Sequence, residues 1–289
     1  MKAEPLNDLV FLRETGEAAR RLGFELYAVG GCARDWLLGL ASADIDFLCG
    51  ADPRALVAEI TLKLGGSFMN FSRFLTTRLF LADGRRLDFA VFRKESYPKP
   101  AALPLVLRAA SAAEDLKRRD FACNALAVSL LPDSFGELLD PFGGAGDIKK
   151  GELRVLHERS FVDDPTRLYR AARFAGRFGW RLEAQTRRLA VEAVKESIPS
   201  LLSRERLRNE LLKLLSEKDP LPALEILKEL DALKFIHERF IFGSGILSAS
   251  GLPARLSVIA GLMGAAGGDF IKSLKLTRAM VREITQKIR

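Results

Sequence analysis

The sequence predicts an α+β protein: a first part built on a small mixed β-sheet with helices, then an all-helical remainder. Three observations predict it. Strand-like and helix-like segments intermingle through the first 150 residues; Asp83-Gly84 between two alternating apolar runs is the strongest hairpin signal in the chain; from Ser160 to Arg289 helical periodicity dominates. At 289 residues and 48% hydrophobic, with mean hydropathy +0.06, the chain has the composition of an ordinary globular protein with enough apolar material for a sizeable core.

Residues 6–22 read as an amphipathic helix, "ELYAV" (25–29) as a strand, and "ARDWLLGL" (33–40) as a short helix after two glycines. "DIDFL" (44–48) is a second strand, and Pro53 opens a helix running to about Leu64. "TTRLFL" (76–81) and "RRLDFAVF" (85–92) form the hairpin around Asp83-Gly84. Residues 94–114, with Pro98, Pro100 and Pro104, read as a loop. "DLKRRDFACNALAVSLL" (115–131) is a helical start passing into an apolar run, and 138–156 a strand followed by a glycine-rich turn. A domain boundary is expected near Gly151.

The formal charge of +8 and pI near 9.5 point to a polyanionic partner, because Lys and Arg gain free energy by releasing the counterions around nucleic acid. Cys32, Cys49 and Cys123 are odd in number and lack CxxC spacing, which argues against a disulfide framework or zinc site and fits a reducing cytoplasm. The opening residues mix charge with apolar positions, unlike a signal peptide, and the most apolar tract, 242–263, is broken by Pro253 and Arg255. No membrane association is expected. His157 and His237 are the only histidines, which argues against a Ser-His-Asp triad and leaves chemistry to carboxylates and arginines.

Strand alternation places Asp44 and Asp46 on one side and Ile45 and Phe47 on the other, so two like charges share a face and call for a cation between them. In "RRLDFAVF", Asp88 stands opposite Leu87, Phe89 and Val91, and joins the same cluster if the two strands are neighbours. Such a cluster suits Mg²⁺, a hard cation that takes oxygen ligands and bridges to phosphates. A bare DxD on a strand end is ordinarily surface decoration; Gly30 and Gly31, directly after a strand, change that by letting backbone approach a phosphate.

"GGCARDWLLGLASADID" resembles the signature GGxVRDxLLGxxxxDxD of the class II tRNA nucleotidyltransferase and poly(A) polymerase family, within the DNA polymerase beta-like superfamily, through Gly30, Gly31, Arg34, Asp35, Gly39, Asp44 and Asp46. "DLKRRDFACNALA" is similar to the family's DLxRRDFTINAL, with Asp115, Arg118, Arg119, Asp120 and Asn124 in place. "LLDPFGGAGDI" and "VDDPTRLYRAARFAGRFGW" resemble its DPFGGxxDL and EDPLRxLRAxRFAxRLGF segments, and "LLSRERLRNELLKLL" its ISxERIxxELxKLL helix.

The resemblance implies a nucleotidyltransferase head over 1–150, a helical neck with a nucleotide-selecting helix over 151–215, and a short helical body over 216–289 that contacts tRNA. It implies Mg²⁺ on Asp44 and Asp46, with Asp88 as a third catalytic carboxylate. Arg118 and Arg119 would neutralise a triphosphate, and Asn124 would bond near the sugar. Asp164 and Arg167 would read the base edge of CTP or ATP, with Asp163 standing for the family's Glu. Arg170, Arg173 and Arg177 form an expected basic stripe toward tRNA or triphosphate, while Ser203, Glu205 and Arg206 cap and brace the neck. The implied activity is template-independent addition of C and A to the tRNA 3′ end. CC-adding, A-adding and poly(A)-synthesising variants, and a catalytically silent RNA-binding protein, remain as alternatives.

Overall fold

The computed structural model describes residues 2–3, 5, 7–42 and 44–288, without the side chains of Lys287 and Ile288. The expected helix start at Leu6 lies outside them. The expected α+β class holds, and the chain divides into two units: residues 1–98, 103–150 and 154–156, and residues 99–102, 151–153 and 157–289.

The first unit runs α1 (Leu9–Arg21), β1 (Leu26–Val29), α2 (Gly31–Leu37), β2 (Asp46–Cys49), α3 (Arg54–Leu64), β3 (Gly66–Phe71), β4 (Thr76–Leu81), β5 (Arg86–Val91), β6 (Arg93–Ser96), β7 (Leu105–Arg108), α4 (Ala112–Lys117), β8 (Ala127–Ser129), β9 (Leu138–Leu139) and α5 (Gly144–Lys150). Seven strands form one sheet in the order β3-β4-β5-β2-β1-β8-β9, in which only β2 and β5 pair in parallel. Phe47 and Phe89 sit opposite one another in that parallel pair and stack at 4.4 Å on the buried face, where Phe11 of α1 meets Phe47 edge-on. Each such buried ring contributes roughly 1.5–3 kcal/mol. The other face carries Asp46 at the edge of the core and Leu48 inside it, against Ala112 and Leu116 of α4.

Three elements differ from expectation. The proline-bearing stretch is not all loop: β6 and β7 pair as a separate ribbon, because Pro98, Pro100 and Pro104 all fall in the connection and leave the flanks free to bond. The glycine-rich turn is the helix α5, begun by the Asp140 carboxylate accepting from the Gly144 and Ala145 amides at 2.7 and 2.9 Å. Gly144 is required there by closeness, since a Cβ would lie 2.0 Å from the Ala122 carbonyl oxygen. β3 has no counterpart in the sequence reading; as an edge strand exposed nearly throughout, it lacks an apolar alternation.

The second unit comprises β10 (Glu152–Leu153), α6 (Ser160–Asp163), α7 (Thr166–Phe178), β11 (Arg181–Leu182), α8 (Ala184–Lys195), α9 (Arg204–Leu215), α10 (Leu221–Glu229), α11 (Gly245–Ser248), α12 (Gly251–Leu262), α13 (Gly267–Ser273) and α14 (Arg278–Ile288). It is helical apart from the two-residue parallel pair β10–β11. Leu168, Tyr169, Leu211, Leu214, Leu224 and Leu227 from α7, α9 and α10 are buried in it. Among the described residues no helix is long and apolar enough to cross a membrane.

Candidate active site

Strand β2 begins at Asp46, so Asp44 precedes the strand, yet the alternation holds: Ile45 and Phe47 are buried while Asp44 and Asp46 are exposed. The parallel register sets Asp88 directly beside Asp46. Although Asp46 reaches water, the protein packed around its carboxyl desolvates it and raises it above its ordinary 3.8; Arg119 opposes this, while Asp88 and Asp44 push the same way. Both Asp88 oxygens accept from Arg78, at 2.6 and 2.8 Å, which leaves Asp44 and Asp46 as the unclamped carboxylates.

Among the described residues no three acidic, imidazole or thiolate groups are drawn together as a finished metal cage. Mg²⁺ does not need one: it keeps several waters and is bound through one or two carboxylates plus substrate phosphates. Asp44 and Asp46, on one side of the chain and reaching water, with Asp88 in register beside Asp46, fit a hard divalent cation delivered with a phosphate.

The glycine turn lies beside this group. Gly30 has φ +78°, a conformation glycine adopts freely, and a Cβ there would meet Arg119 Nη1 at 2.6 Å. A Cβ at Gly31 would meet only Arg34 Nη2, at an ordinary 3.6 Å, so the two glycines are not equivalent. Arg34 is 4% exposed and donates to Asn124 Oδ1 at 2.6 Å and to Asp35; Asn124 Nδ2 donates in turn to Asp120. Asn124 therefore holds Arg34 in place by a charge-assisted bond.

Asp115 is fully buried and acts as an internal bracket. It accepts from Arg118 Nε at 3.2 Å, from Arg119 Nη2 at 3.4 Å and from the Arg93 amide at 3.0 Å, while Arg118 also pairs with Glu95 at 2.8 Å. The Arg93, Arg118 and Arg119 guanidiniums thus lie close enough to interact with Asp115 and Glu95, and Arg119 also faces Asp46 and Asp120. Burial, with repulsion from Arg118, pulls Arg93 and Arg119 below their ordinary values. The Nε groups of Arg93 and Arg119 have no acceptor among the described residues. Guanidinium donors left without an acceptor favour an anion nearby.

In the second unit, Asp164 caps the start of α7, accepting from Thr166 N at 3.0 Å and Thr166 Oγ1 at 2.6 Å, and also pairs with Arg206 at 2.6 Å. Arg167 is buried and donates to Ser160 Oγ at 2.8 Å, with His157 Nε2 at 3.3 Å. Asp163 accepts from Arg159. The expected stripe on α7 is divided: Arg173 is buried and pairs with Glu217 at 3.4 Å, Arg177 pairs with the same Glu217, and Arg170 lies over Phe174. Arg173 thus sits in an interior ion pair, because α9 and the turn after it present acids to that side.

Sequence reading missed Arg78 and Arg93 and gave Arg206 only a bracing role. The partners of Arg78 and Arg206 lie 10 and 42 positions away, so no local motif announces them. The alternation of "TTRLFL" opposite "RRLDFAVF" was the one usable cue, since it puts Arg78 on the same face as Asp88.

Residues 26–154 match the family described as Poly A polymerase head domain, and residues 186–240 the one described as Probable RNA and SrmB- binding site of polymerase A. An A-adding tRNA nucleotidyltransferase of Halalkalibacterium halodurans is 40% identical over 225 residues, 77% of this chain and 52% of the relative. A CC-adding tRNA nucleotidyltransferase of Deinococcus radiodurans is 38% identical over 213 residues, 73% of this chain and 56% of the relative. This chain thus spans about half the length of these curated relatives. Among solved structures, a CCA-adding enzyme in apo form II superposes with TM-score 0.83 at 32% identity, covering 98% of this chain and 71% of that one. The Thermotoga maritima CCA-adding enzyme complexed with tRNA superposes with TM-score 0.79 at 31% identity, covering 98% and 70%. The chain belongs to the class II tRNA nucleotidyltransferase and poly(A) polymerase family.

Proposed function

We propose that the chain adds C and/or A to the 3′ end of tRNA without a template, using CTP and ATP and releasing pyrophosphate. The observation that carries this reading is the strand register that sets Asp46 beside Asp88, with Arg119 between Asp46 and the glycine turn at Gly30. The oxygen of the terminal ribose hydroxyl bonds to the α-phosphorus, the bond from that phosphorus to the bridging oxygen breaks, and the hydroxyl proton leaves to solvent. Asp44 and Asp46 are the residues that would hold Mg²⁺, with Asp88 adding negative charge beside them. When bound, the ion lowers the pKa of the attacking hydroxyl and stabilises the leaving pyrophosphate.

The protein's own groups do the positioning. The bare turn at Gly30 admits the phosphates to backbone, and Arg93, Arg118 and Arg119 offset their charge. Arg34 is oriented by its bond to Asn124. Asp164 and Arg167 are the proposed base-reading pair, one an acceptor held by Arg206 and the other a fork of donors held by Ser160. The +8 charge suits an RNA partner.

Single A addition is a second reading, favoured by the 40% identity to an A-adding enzyme. Incubation with tRNAs ending at each truncation, offering CTP or ATP alone, separates the two. Stepwise C, C and A addition supports the first, while A added only to tRNA ending in CC supports the second. RNA that is bound but never extended would make the chain a silent RNA-binding protein.

A further inference from the structure

The carboxylate face of the sheet does not end at Asp88. Register carries it outward through Arg78 of β4 to Met69 of β3, and the same face holds Phe80 beside Arg86 and Phe71 at the rim. On this face Phe80 is 40% exposed and Met69 54% exposed, and Arg86 stands in solvent. The Arg78 guanidinium lies 5.2 Å from the Phe71 ring centroid. Flat apolar surfaces thus alternate with guanidiniums across β3, β4 and β5, in line with Asp46. With strands about 4.8 Å apart, β4 stands about 10 Å and β3 about 14 Å from the β2 carboxylates.

We propose that this outer sheet face, carried by Met69, Phe71, Arg78, Phe80 and Arg86, is a platform on which the last unpaired nucleotides of the RNA acceptor stack as their 3′ hydroxyl reaches Asp46. The inference rests on the nucleotidyl-transfer reading and adds a location for the RNA end. Bases stack on aromatic faces irrespective of sequence, and guanidiniums meet the backbone charge between them. The pattern suits single-stranded nucleic acid better than a protein surface, because the arginines interrupt the apolar area and no contiguous dry patch remains. Continuity in register with the carboxylates fixes the polarity, with the 3′ end inward.

The chain supplies its own control. Phe68 is also 40% exposed, but as the neighbour of Met69 in β3 it points to the opposite face. The full chain is titrated with a short single-stranded RNA ending in CC, and steady-state constants are measured for truncated tRNA and for nucleotide. Phe80→Ala is expected to weaken oligonucleotide binding and raise the KM for RNA roughly 5- to 150-fold, the range of one lost stacking contact. The KM for nucleotide should stay within about 2-fold, Phe80→Trp should restore RNA binding, and Phe68→Ala should leave it unchanged. Arg86→Ala should flatten the salt dependence of binding by about one unit of slope.

Unchanged RNA affinity in Phe80→Ala, or an equal loss in Phe68→Ala, overturns the platform. So does a wild-type dimer that Phe80→Ala converts to monomer without altering RNA affinity, since the face would then serve a second copy. Face-dependent RNA binding by a wild-type chain that extends no RNA would support the platform while sinking the nucleotidyl-transfer reading, so the two fail separately.

Discussion

Adding one methyl group at Gly30 should damage both stability and nucleotide use, while the same change at Gly31 should leave the stability of the nucleotide-free protein unchanged. At Gly30 the backbone has φ +78° and ψ −122°, a region that residues with a side chain enter at a cost of about 1–3 kcal/mol. For a protein of this size that is a fall in melting temperature of about 2–12 °C. The added carbon would also lie 2.6 Å from Arg119 Nη1, so the guanidinium must retreat by about 1 Å to an ordinary contact. A 1 Å displacement of a positioning group can cost about 100-fold, so kcat/KM for nucleotide should fall about 10- to 100-fold in Gly30→Ala. Gly31 has no positive φ, and its added carbon would meet Arg34 Nη2 at 3.6 Å, so Gly31→Ala should melt within about 1 kcal/mol of wild type. Differential scanning fluorimetry without ligand and initial rates against CTP and ATP read both effects. A Gly30→Ala protein that melts and turns over like wild type, or a Gly31→Ala protein that loses equal stability, would refute the reasoning.

Other perturbations have defined outcomes. Gly144→Ala forces a carbon to 2.0 Å from the Ala122 carbonyl oxygen, backbone against backbone, and should destabilise by at least about 1–3 kcal/mol; unchanged denaturant unfolding would contradict that packing. Arg206→Ala leaves Asp164 its contacts to Thr166 but removes the 2.6 Å partner, so discrimination between CTP and ATP should weaken with only about 1 kcal/mol of stability lost. Lost stability with unaltered base choice would mark Arg206 as structural alone. Burial raises the thiol of Cys32 from an ordinary 9.0 to about 12, and raises the thiols of Cys49 and Cys123 as well. The resulting stability is present in full below pH 9 and is lost as pH climbs toward the folded values, by about 1.4 kcal/mol per thiol per pH unit. Unfolding free energies at pH 9 and 10.5 should therefore diverge, and less so in a variant with all three changed to Ala; identical slopes would refute it.

How much was legible depended on whether the governing interaction was local. "DIDF" could be read because burial of Ile45 and Phe47 dictates where the aspartates face, even though the strand begins only at Asp46. The neighbour relation between Asp46 and Asp88 could be posed but not decided, since alternation gives a face and not a strand order. Gly30 was recognisable as a turn glycine, whereas the need for Gly144 arises from a carbonyl 22 positions earlier. Exposure hid β3, and prolines masked the ribbon β6–β7, because in each the apolar period that marks a strand is missing. The arginine excess on α7 was visible, but Arg173 and Arg177 were claimed by Glu217, which folding alone brings near.

The most direct test of the account is single-turnover extension of a 3′-truncated tRNA by wild type and by Asp46→Asn, with Mg²⁺, CTP and ATP, alongside RNA affinity measured on the same samples. Removing one of the charges proposed to hold the metal while keeping the side chain's shape should slow extension by about 1,000-fold or more and leave the dissociation constant for RNA within about 3-fold. Extension at the wild-type rate by Asp46→Asn would contradict the assignment of the transfer chemistry to the β2 carboxylates.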